Sequence, residues 1–162
     1  MIIITTVDHH VKQGCRIDEG NVNSHASSSL NDVLQLQVIK ATYCETVDAC
    51  FADTGKATAR LAELFTEDVR ADYGMGPLNG YNAVIAFLID AVVATNESLW
   101  HSLHTPLIEV NGDTATGHWT VLVRSKHKGA ATPDMIYGRY LDEFRRTSRG
   151  WRISAIRFIQ EG

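Results

Sequence analysis

Apolar side chains recur at helical spacing through the first half of the chain. Asn31 or Ser29 can cap a helix, and beyond them apolar residues follow one another three or four positions apart, as on one face of an amphipathic helix (Leu36, Ile39, Tyr43, Val47 and Phe51). A helical pattern returns in 57–65 and in 81–95, and residues 67–73 between these segments alternate as in a short strand. The first half therefore predicts three helices and one strand.

Beyond residue 97 the apolar positions recur at every second residue. Four alternating segments (99–110, 114–126, 135–146 and 151–160) predict four long strands, and Asn111-Gly112 is a strong hairpin signal between the first two. Helices followed by antiparallel strands predict an α+β fold, in which the helices cover one face of a curved sheet. A cavity can form between the helices and the sheet.

Strict alternation assigns one face of each strand to the interior. The residues that share such a face are Trp100, Ser102, His104, Pro106 and Ile108 on the first long strand, Trp119, Val121 and Val123 on the second, and Trp151, Ile153, Ala155 and Arg157 on the last. His101 and His118 then point to the opposite face or the rim. His104 and Arg157 are polar groups in apolar rows, but a satisfied core histidine and a buried ion pair explain them as well. Asp48, on the first helix, also fits a solvent-facing carboxylate.

The composition indicates one domain without a polyanionic partner. The 162 residues are 44% hydrophobic and 21% charged, and the formal net charge of -4 argues against binding to nucleic acid or to a membrane surface. Residues 1–29 are polar and aperiodic, which predicts a flexible arm before a single domain at 30–162. The odd set of cysteines (Cys15, Cys44 and Cys50) indicates a reducing, cytoplasmic compartment.

Several short motifs, taken in order, resemble those of a known family. The clearest are Ile39-Lys-Ala-Thr-Tyr43 followed by Asp48, His101-Ser-Leu-His104-Thr-Pro106, and Gly150-Trp-Arg-Ile153 before Arg157. This series is similar to the SnoaL-like branch of the nuclear transport factor 2-like superfamily, and in motif it is closest to scytalone dehydratase and bile-acid 7α-dehydratase. The resemblance implies three helices on a strongly curved antiparallel sheet that forms a cone with an internal pocket. It also implies a homodimer.

The dehydratases of this family imply catalytic roles for four residues. Their pocket holds a Tyr and an Asp from the first helix, a His before Thr-Pro and an Arg from the last strand, which match Tyr43, Asp48, His104 and Arg157. In that arrangement His104 is the base, Asp48 orients it, and the other two stabilise negative oxygen. The residues expected to bind the substrate are Trp100, Trp119, Val123, Phe87, Ile108 and Tyr140. The bile-acid enzyme has a pocket Asp at the position of Val123, which argues against its steroid substrate.

The expected function is that of a cofactor-independent lyase or isomerase that requires no metal. Dehydration, cyclisation or double-bond isomerisation of a hydrophobic polyketide-, terpenoid- or steroid-like molecule fits the implied residues. A non-catalytic ligand-binding or partner-subunit module of the same fold is the alternative, and it predicts that Asp48 and His104 do not touch. A hydrolase is a further alternative, and it needs a water held between two carboxylates.

Overall fold

The computed structural model describes residues 19–161, with side chains from Ser29 onward. The helices are α1 (Glu19–Ala49), α2 (Thr54–Leu64), α3 (Tyr81–Ile85) and α4 (Val92–Thr95), and a π-helical turn (Ala86–Ala91) joins the last two into one segment. The strands are β1 (Phe65–Asp72), β2 (Pro77–Asn79), β3 (Asn96–Asn111), β4 (Thr114–His127), β5 (Asp134–Thr147) and β6 (Gly150–Glu161). The predicted order, helices first and long strands second, is confirmed.

The strands form one sheet in the order β2-β1-β6-β5-β4-β3, and α1 packs against β3 and β6. The four long strands pair antiparallel in sequence. The hairpin predicted between β3 and β4 is confirmed, and its turn lies at Gly112 and Asp113, one residue beyond the predicted Asn111-Gly112. The short strand β1 runs parallel to β6, so the sheet is mixed, with one parallel pair that alternation alone did not reveal. The α+β class, with helices on the inner face of a curved sheet, is confirmed.

The first helix is longer than its apolar stripe. Leu36, Tyr43 and Val47 are almost fully buried, as their spacing predicts. The helix begins at Glu19, so residues 19–29 of the predicted arm belong to α1, while residues 1–18 lie outside the described residues. Within the described part of the chain, no helix combines the length and the apolar character needed to cross a membrane.

Single extra residues in β3 and β6 reverse the alternation partway along each strand. His104 pairs with Thr120 but Leu107 pairs with His118, so β3 carries an extra residue at this point, and Thr105 has a φ of 44°. Another extra residue, Glu97, lies at the start of β3, between the paired residues Asn96 and Ser98. On β6 the extra residue is Ser154, since Glu143 and Phe144 of β5 face Ala155 and Ile153.

The structure corrects the predicted face assignments of Trp100, His101, His104 and Arg157. Leu99, His101 and Leu103 point inward before the bulge near Thr105, which leaves Trp100 and His104 exposed on the outer face. After the bulge at Ser154 of β6, Ile156 and Phe158 point inward, which leaves Arg157 exposed. The assignment of β4 is confirmed: the strand has no bulge, and its predicted inner residues are buried (Trp119, Val121 and Val123).

Candidate functional site

Helix α1 and strand β3 bring Asp48 and His101 into contact on the inner face. Nδ1 of His101 lies 2.6 Å from Oδ1 of Asp48, and the backbone N–H of His101 donates to Oδ2 at 2.9 Å. The side chain of His101 is 5% exposed and that of Asp48 is 18% exposed. A carboxylate only accepts hydrogen bonds, so the proton between them is assigned to Nδ1. In the neutral imidazole, Nε2 then carries the free lone pair.

The other side of the imidazole faces Tyr140 on β5. The Tyr140 hydroxyl lies 3.2 Å from Nε2 of His101, within reach for the phenol to donate to this nitrogen. Three elements thus contribute a carboxylate, an imidazole and a phenol to one hydrogen-bonded series, Asp48–His101–Tyr140. Its central member is the side chain best suited to gain and lose a proton near neutral pH.

An apolar cavity of about 120 Å³ lies beside this series. Its polar wall consists of Tyr43, Tyr73, His101 and Tyr140, and the remaining wall is apolar. The π-helical turn contributes Phe87 and Leu88 to that wall, and the Phe87 ring stacks on Tyr73 with the centroids 5.0 Å apart. Such turns are frequent at functional sites because the added residue redirects the side chains.

The cavity holds three phenols that stay protonated at neutral pH. Burial raises the pKa of Tyr43, Tyr73 and Tyr140 above the ordinary value of 10.0. The hydroxyls of Tyr43 and Tyr73 lie 2.9 Å apart and share one hydrogen bond. Each phenol therefore retains its proton, but the shared hydrogen bond uses one proton of the Tyr43–Tyr73 pair, so this pair has one left to donate to an oxygen of a bound molecule.

A buried ion pair lies behind Tyr140. Nζ of Lys40 is 3.1 Å from Oδ1 and 2.9 Å from Oδ2 of Asp142, and both side chains are fully buried. The same Nζ lies 3.5 Å from the centre of the Tyr140 ring and 4.7 Å from that of Tyr43. Burial raises the pKa of the Asp142 carboxyl, and the ammonium opposes this rise.

Sequence reasoning missed this pair, although a signal was present. Lys40 precedes Tyr43 by three residues and so lies on the buried stripe of α1. Asp142 alternates with Tyr140 and Phe144 on β5, and all three are buried. Opposite charges within two apolar patterns indicate a buried ion pair.

Sequence comparison identifies the family. A SnoaL-like domain model matches residues 28–157. The chain belongs to the SnoaL-like family. No curated protein is significantly similar to it in sequence.

Solved structures share the fold of this SnoaL-like protein. A provisionally assigned scytalone dehydratase from Novosphingobium aromaticivorans is 17% identical, with a TM-score of 0.74 over 85% of this chain and 89% of that one. A nuclear transport factor 2-like superfamily protein from Salmonella enterica is 15% identical, with a TM-score of 0.74 over 83% and 94%. A hexachlorocyclohexane dehydrochlorinase from Novosphingobium barchaimii is 17% identical, with a TM-score of 0.66 over 81% and 90%. The predicted superfamily is confirmed.

The SnoaL-like cavity brings together about half of the predicted site residues. Tyr43, Phe87, Val123 and Tyr140 line it, and Asp48 lies behind its wall in contact with His101. Two others pack elsewhere on the inner face: Trp119 is buried and Ile108 is half-buried, outside the cavity lining.

The remaining three predicted residues lie on the outer face of the sheet. Trp100 is 64% exposed, Arg157 is exposed, and Nε2 of the exposed His104 contacts Oγ of Ser102 at 3.2 Å. The predicted contact between Asp48 and His104 is therefore wrong, and His101 occupies that position. The available signal was Pro106, because proline within a strand marks an edge or a bulge.

Proposed function

We propose that this protein is a cofactor-independent lyase or isomerase in which His101 is the general base. The observation that carries the proposal is the Asp48–His101–Tyr140 series beside an apolar cavity. Asp48 holds the imidazole in one tautomer and stabilises the positive charge that forms when Nε2 takes up a proton.

In the proposed step, Nε2 of His101 removes a proton from a carbon next to a carbonyl group. The C–H bond breaks, an N–H bond forms, and the electron pair moves toward the carbonyl oxygen. Because Nε2 accepts the Tyr140 phenol in the free site, the phenol first turns to the carbonyl oxygen of the bound ketone, which frees the lone pair of Nε2 to take the proton, and Tyr43 is a second donor to that oxygen. The proton then returns to another carbon in an isomerase, or it departs with a β-hydroxyl group as water in a dehydratase.

The cavity size supports a narrower substrate class than the motifs imply. An engineered apolar cavity of about 150 Å³ holds a benzene molecule, so about 120 Å³ suits one small ring. A steroid or a fused polyketide is larger than this volume and would extend beyond the cavity. We therefore propose a hydrophobic ketone whose reacting part is a single ring or a short unsaturated chain.

The alternative is a non-catalytic ligand-binding or partner-subunit module. Asp48 and His104 do not touch, as that alternative expects, but the contact between Asp48 and His101 supplies the same chemistry and favours an enzyme. Hydrolysis has less support, because the described residues that line the cavity include no carboxylate to hold a water.

Exchange of ketone α-hydrogens for deuterium tests the proposed proton abstraction. This exchange needs proton abstraction, replacement of the proton on Nε2 by a deuteron from the solvent, and return of that deuteron to the carbon. It needs none of the later steps in which lyases and isomerases differ. We expect NMR in D₂O to detect protein-dependent exchange with cyclohexanone or a cyclohexenone, with a loss of rate in His101→Gln and an unchanged rate in His104→Gln. Tight binding of cyclic ketones without exchange would support the ligand-binding module, whereas equal rates in both variants would remove His101 from the proposal.

We also propose a homodimer in a reducing compartment. Trp100, Met135 and Tyr137 are exposed on the outer face, and the strand register places Arg124 between Trp100 and Met135, so three large apolar side chains lie around one arginine on this face. The described Cys44 and Cys50 are free thiols. Sedimentation equilibrium is expected to give twice the chain mass, and Trp100→Glu with Tyr137→Glu is expected to give a monomer.

A further inference from the structure

The Lys40–Asp142 pair lies where apolar side chains would serve the fold at least as well. Both side chains are fully withdrawn from water, and charges lose their hydration on burial. Replacing such a pair by apolar residues of similar volume is often neutral or stabilising. Packing alone therefore gives no reason for a buried lysine behind the cavity wall.

The ammonium lies against the face of the ring that contacts His101. Nζ is 3.5 Å from the centre of the Tyr140 ring, and the hydroxyl of that ring is 3.2 Å from Nε2 of His101. A cation over a phenol face is attracted by the π electrons and draws electron density from the ring, which strengthens the O–H group as a donor. The contact also limits ring rotation, together with the tilted Phe158 ring 5.4 Å away.

Other groups around Tyr140 do not duplicate this charge. Tyr43, Tyr73 and Cys44 are neutral at physiological pH, since burial raises the pKa of all three and brings that of the Cys44 thiol to about 12. Asp142 and Asp48 are acidic, and His101 is the hydrogen-bond partner itself. Among the described residues, Lys40 is the lysine or arginine that contacts this ring.

We infer that Lys40, held in place by Asp142, is a positioning residue that acts through the Tyr140 phenol on Nε2 of His101. The inference rests on the proposed function and deepens it, since the Lys40–Asp142 pair would determine the strength of the hydrogen bond from the Tyr140 phenol to Nε2 of His101. Nζ does not reach the cavity: Lys40 is fully buried and outside its lining.

Imidazole NMR of the full chain tests the inference without a substrate. The ¹⁵N resonance of His101 Nε2, recorded at one fixed neutral pH with ¹⁵N-labelled histidine, reports how strongly this nitrogen accepts a hydrogen bond. The measurement compares the wild-type protein, K40M/D142L, Y140F and the triple variant. The matched control is R70Q/E143Q, which removes an exposed ion pair whose Glu143 is adjacent to Asp142 on β5.

The expected result is a coupling that depends on Tyr140. K40M/D142L moves the Nε2 resonance toward its position in Y140F, the triple variant coincides with Y140F, and R70Q/E143Q leaves it unmoved. An equal displacement in the presence and absence of the Tyr140 hydroxyl overturns the inference, and so does an unmoved resonance in folded K40M/D142L. If K40M/D142L does not fold, K40Q/D142N removes the charges while keeping a polar side chain at each position.

A kinetic measurement separates this inference from the proposed function. If ketone exchange is catalysed, K40M/D142L is expected to lower kcat by about 2- to 30-fold with little change in KM, the range of cation–π energies. If no ketone reacts, the NMR coupling still decides the inference, because it needs no turnover. A changed KM with an unchanged kcat contradicts a role through the base.

Discussion

The two faces of the sheet place the same residue types in opposite settings. On the inner face, His101 is 5% exposed and contacts a carboxylate and a phenol, and the Lys40–Asp142 pair is fully buried. On the outer face, His104 is exposed beside a serine, and the side chains of the Arg70–Glu143 pair are 65% and 57% exposed. Residue type does not distinguish the inner histidine and ion pair from the outer ones. Desolvation does, because charges and hydrogen bonds act more strongly away from water.

Removing each histidine in turn is the most direct test of the difference between the two faces of the sheet. His101→Ala is expected to lower kcat/KM for ketone exchange by about 10²- to 10⁴-fold, the usual contribution of a positioned base. His104→Ala is expected to stay within about twofold, as for a surface substitution. The measurement is the initial exchange rate, with circular dichroism to check folding. A comparable loss in both variants would mean that the outer face takes part in the reaction.

The buried and exposed ion pairs give the next largest difference. Lys40→Met alone leaves the Asp142 carboxylate buried without a partner, so the free energy of unfolding is expected to fall by about 3 to 5 kcal/mol. Arg70→Met removes half of the exposed pair and is expected to cost at most about 1 kcal/mol. Urea unfolding of both variants measures the difference. Restoration of stability by adding Asp142→Leu to Lys40→Met would confirm that the unpaired charge causes the loss.

Sequence alone predicts those parts of the site in which local periodicity continues unbroken. Tyr43 and the buried stripe of α1 follow from spacings of three and four, and the inner face of β4 follows from alternation without a bulge. His101 and Arg157 were misplaced because one extra residue in β3 and one in β6 reverse the alternation. A bulge depends on pairing with the neighbouring strand, which sequence order does not contain.

Non-local contacts explain the other differences. The parallel pairing of β1 with β6 joins residues far apart in the chain. Lys40 and Asp142 are 102 positions apart, so neither the apolar stripe of α1 nor the alternation of β5 predicts which residue the other pairs with. In contrast, a hairpin turn needs only adjacent residues: the hairpin predicted at Asn111-Gly112 is confirmed, with the turn one residue further on, at Gly112 and Asp113. The family motifs supplied what periodicity did not: the superfamily, and the expectation that Asp48 holds a histidine.

The ion pair between Asp32 and Arg146 is intermediate in exposure between the buried and the exposed pair. Oδ1 of Asp32 accepts a hydrogen bond from the Trp151 indole at 3.0 Å and its Oδ2 one from Arg146 at 2.7 Å, and the Asp32 side chain is 8% exposed. Asp32→Asn is expected to lower the free energy of unfolding by about 1 to 2 kcal/mol at neutral pH. The matched control is Asp113→Asn, whose carboxylate contacts the same arginine but is 82% exposed. It is expected to change stability by less than about 0.5 kcal/mol.

The effect of Asp32 should depend on pH in one direction. Hydrogen bonds from Arg146 and Trp151 lower the pKa of its carboxyl in the folded state below the ordinary value of 3.8. The stabilisation is then fully present above the unfolded pKa and is lost as the pH falls through the lower folded pKa. Unfolding measurements from neutral to acidic pH should show the difference from Asp32→Asn shrinking below pH 3.8. A difference that stays constant would mean that packing, not charge, explains it.

The smallest expected effect is that of Arg157→Gln. The bulge at Ser154 turns this side chain to the outer face, so we expect unchanged ketone exchange and a stability change below about 0.5 kcal/mol. The adjacent Ile156 is 2% exposed, and Ile156→Ala is expected to cost about 2 to 5 kcal/mol in the same unfolding assay. A tenfold fall in kcat for Arg157→Gln would mean that the outer face of one subunit serves the site of another. The monomeric variant Trp100→Glu with Tyr137→Glu then decides the matter, because it would have to show the same loss.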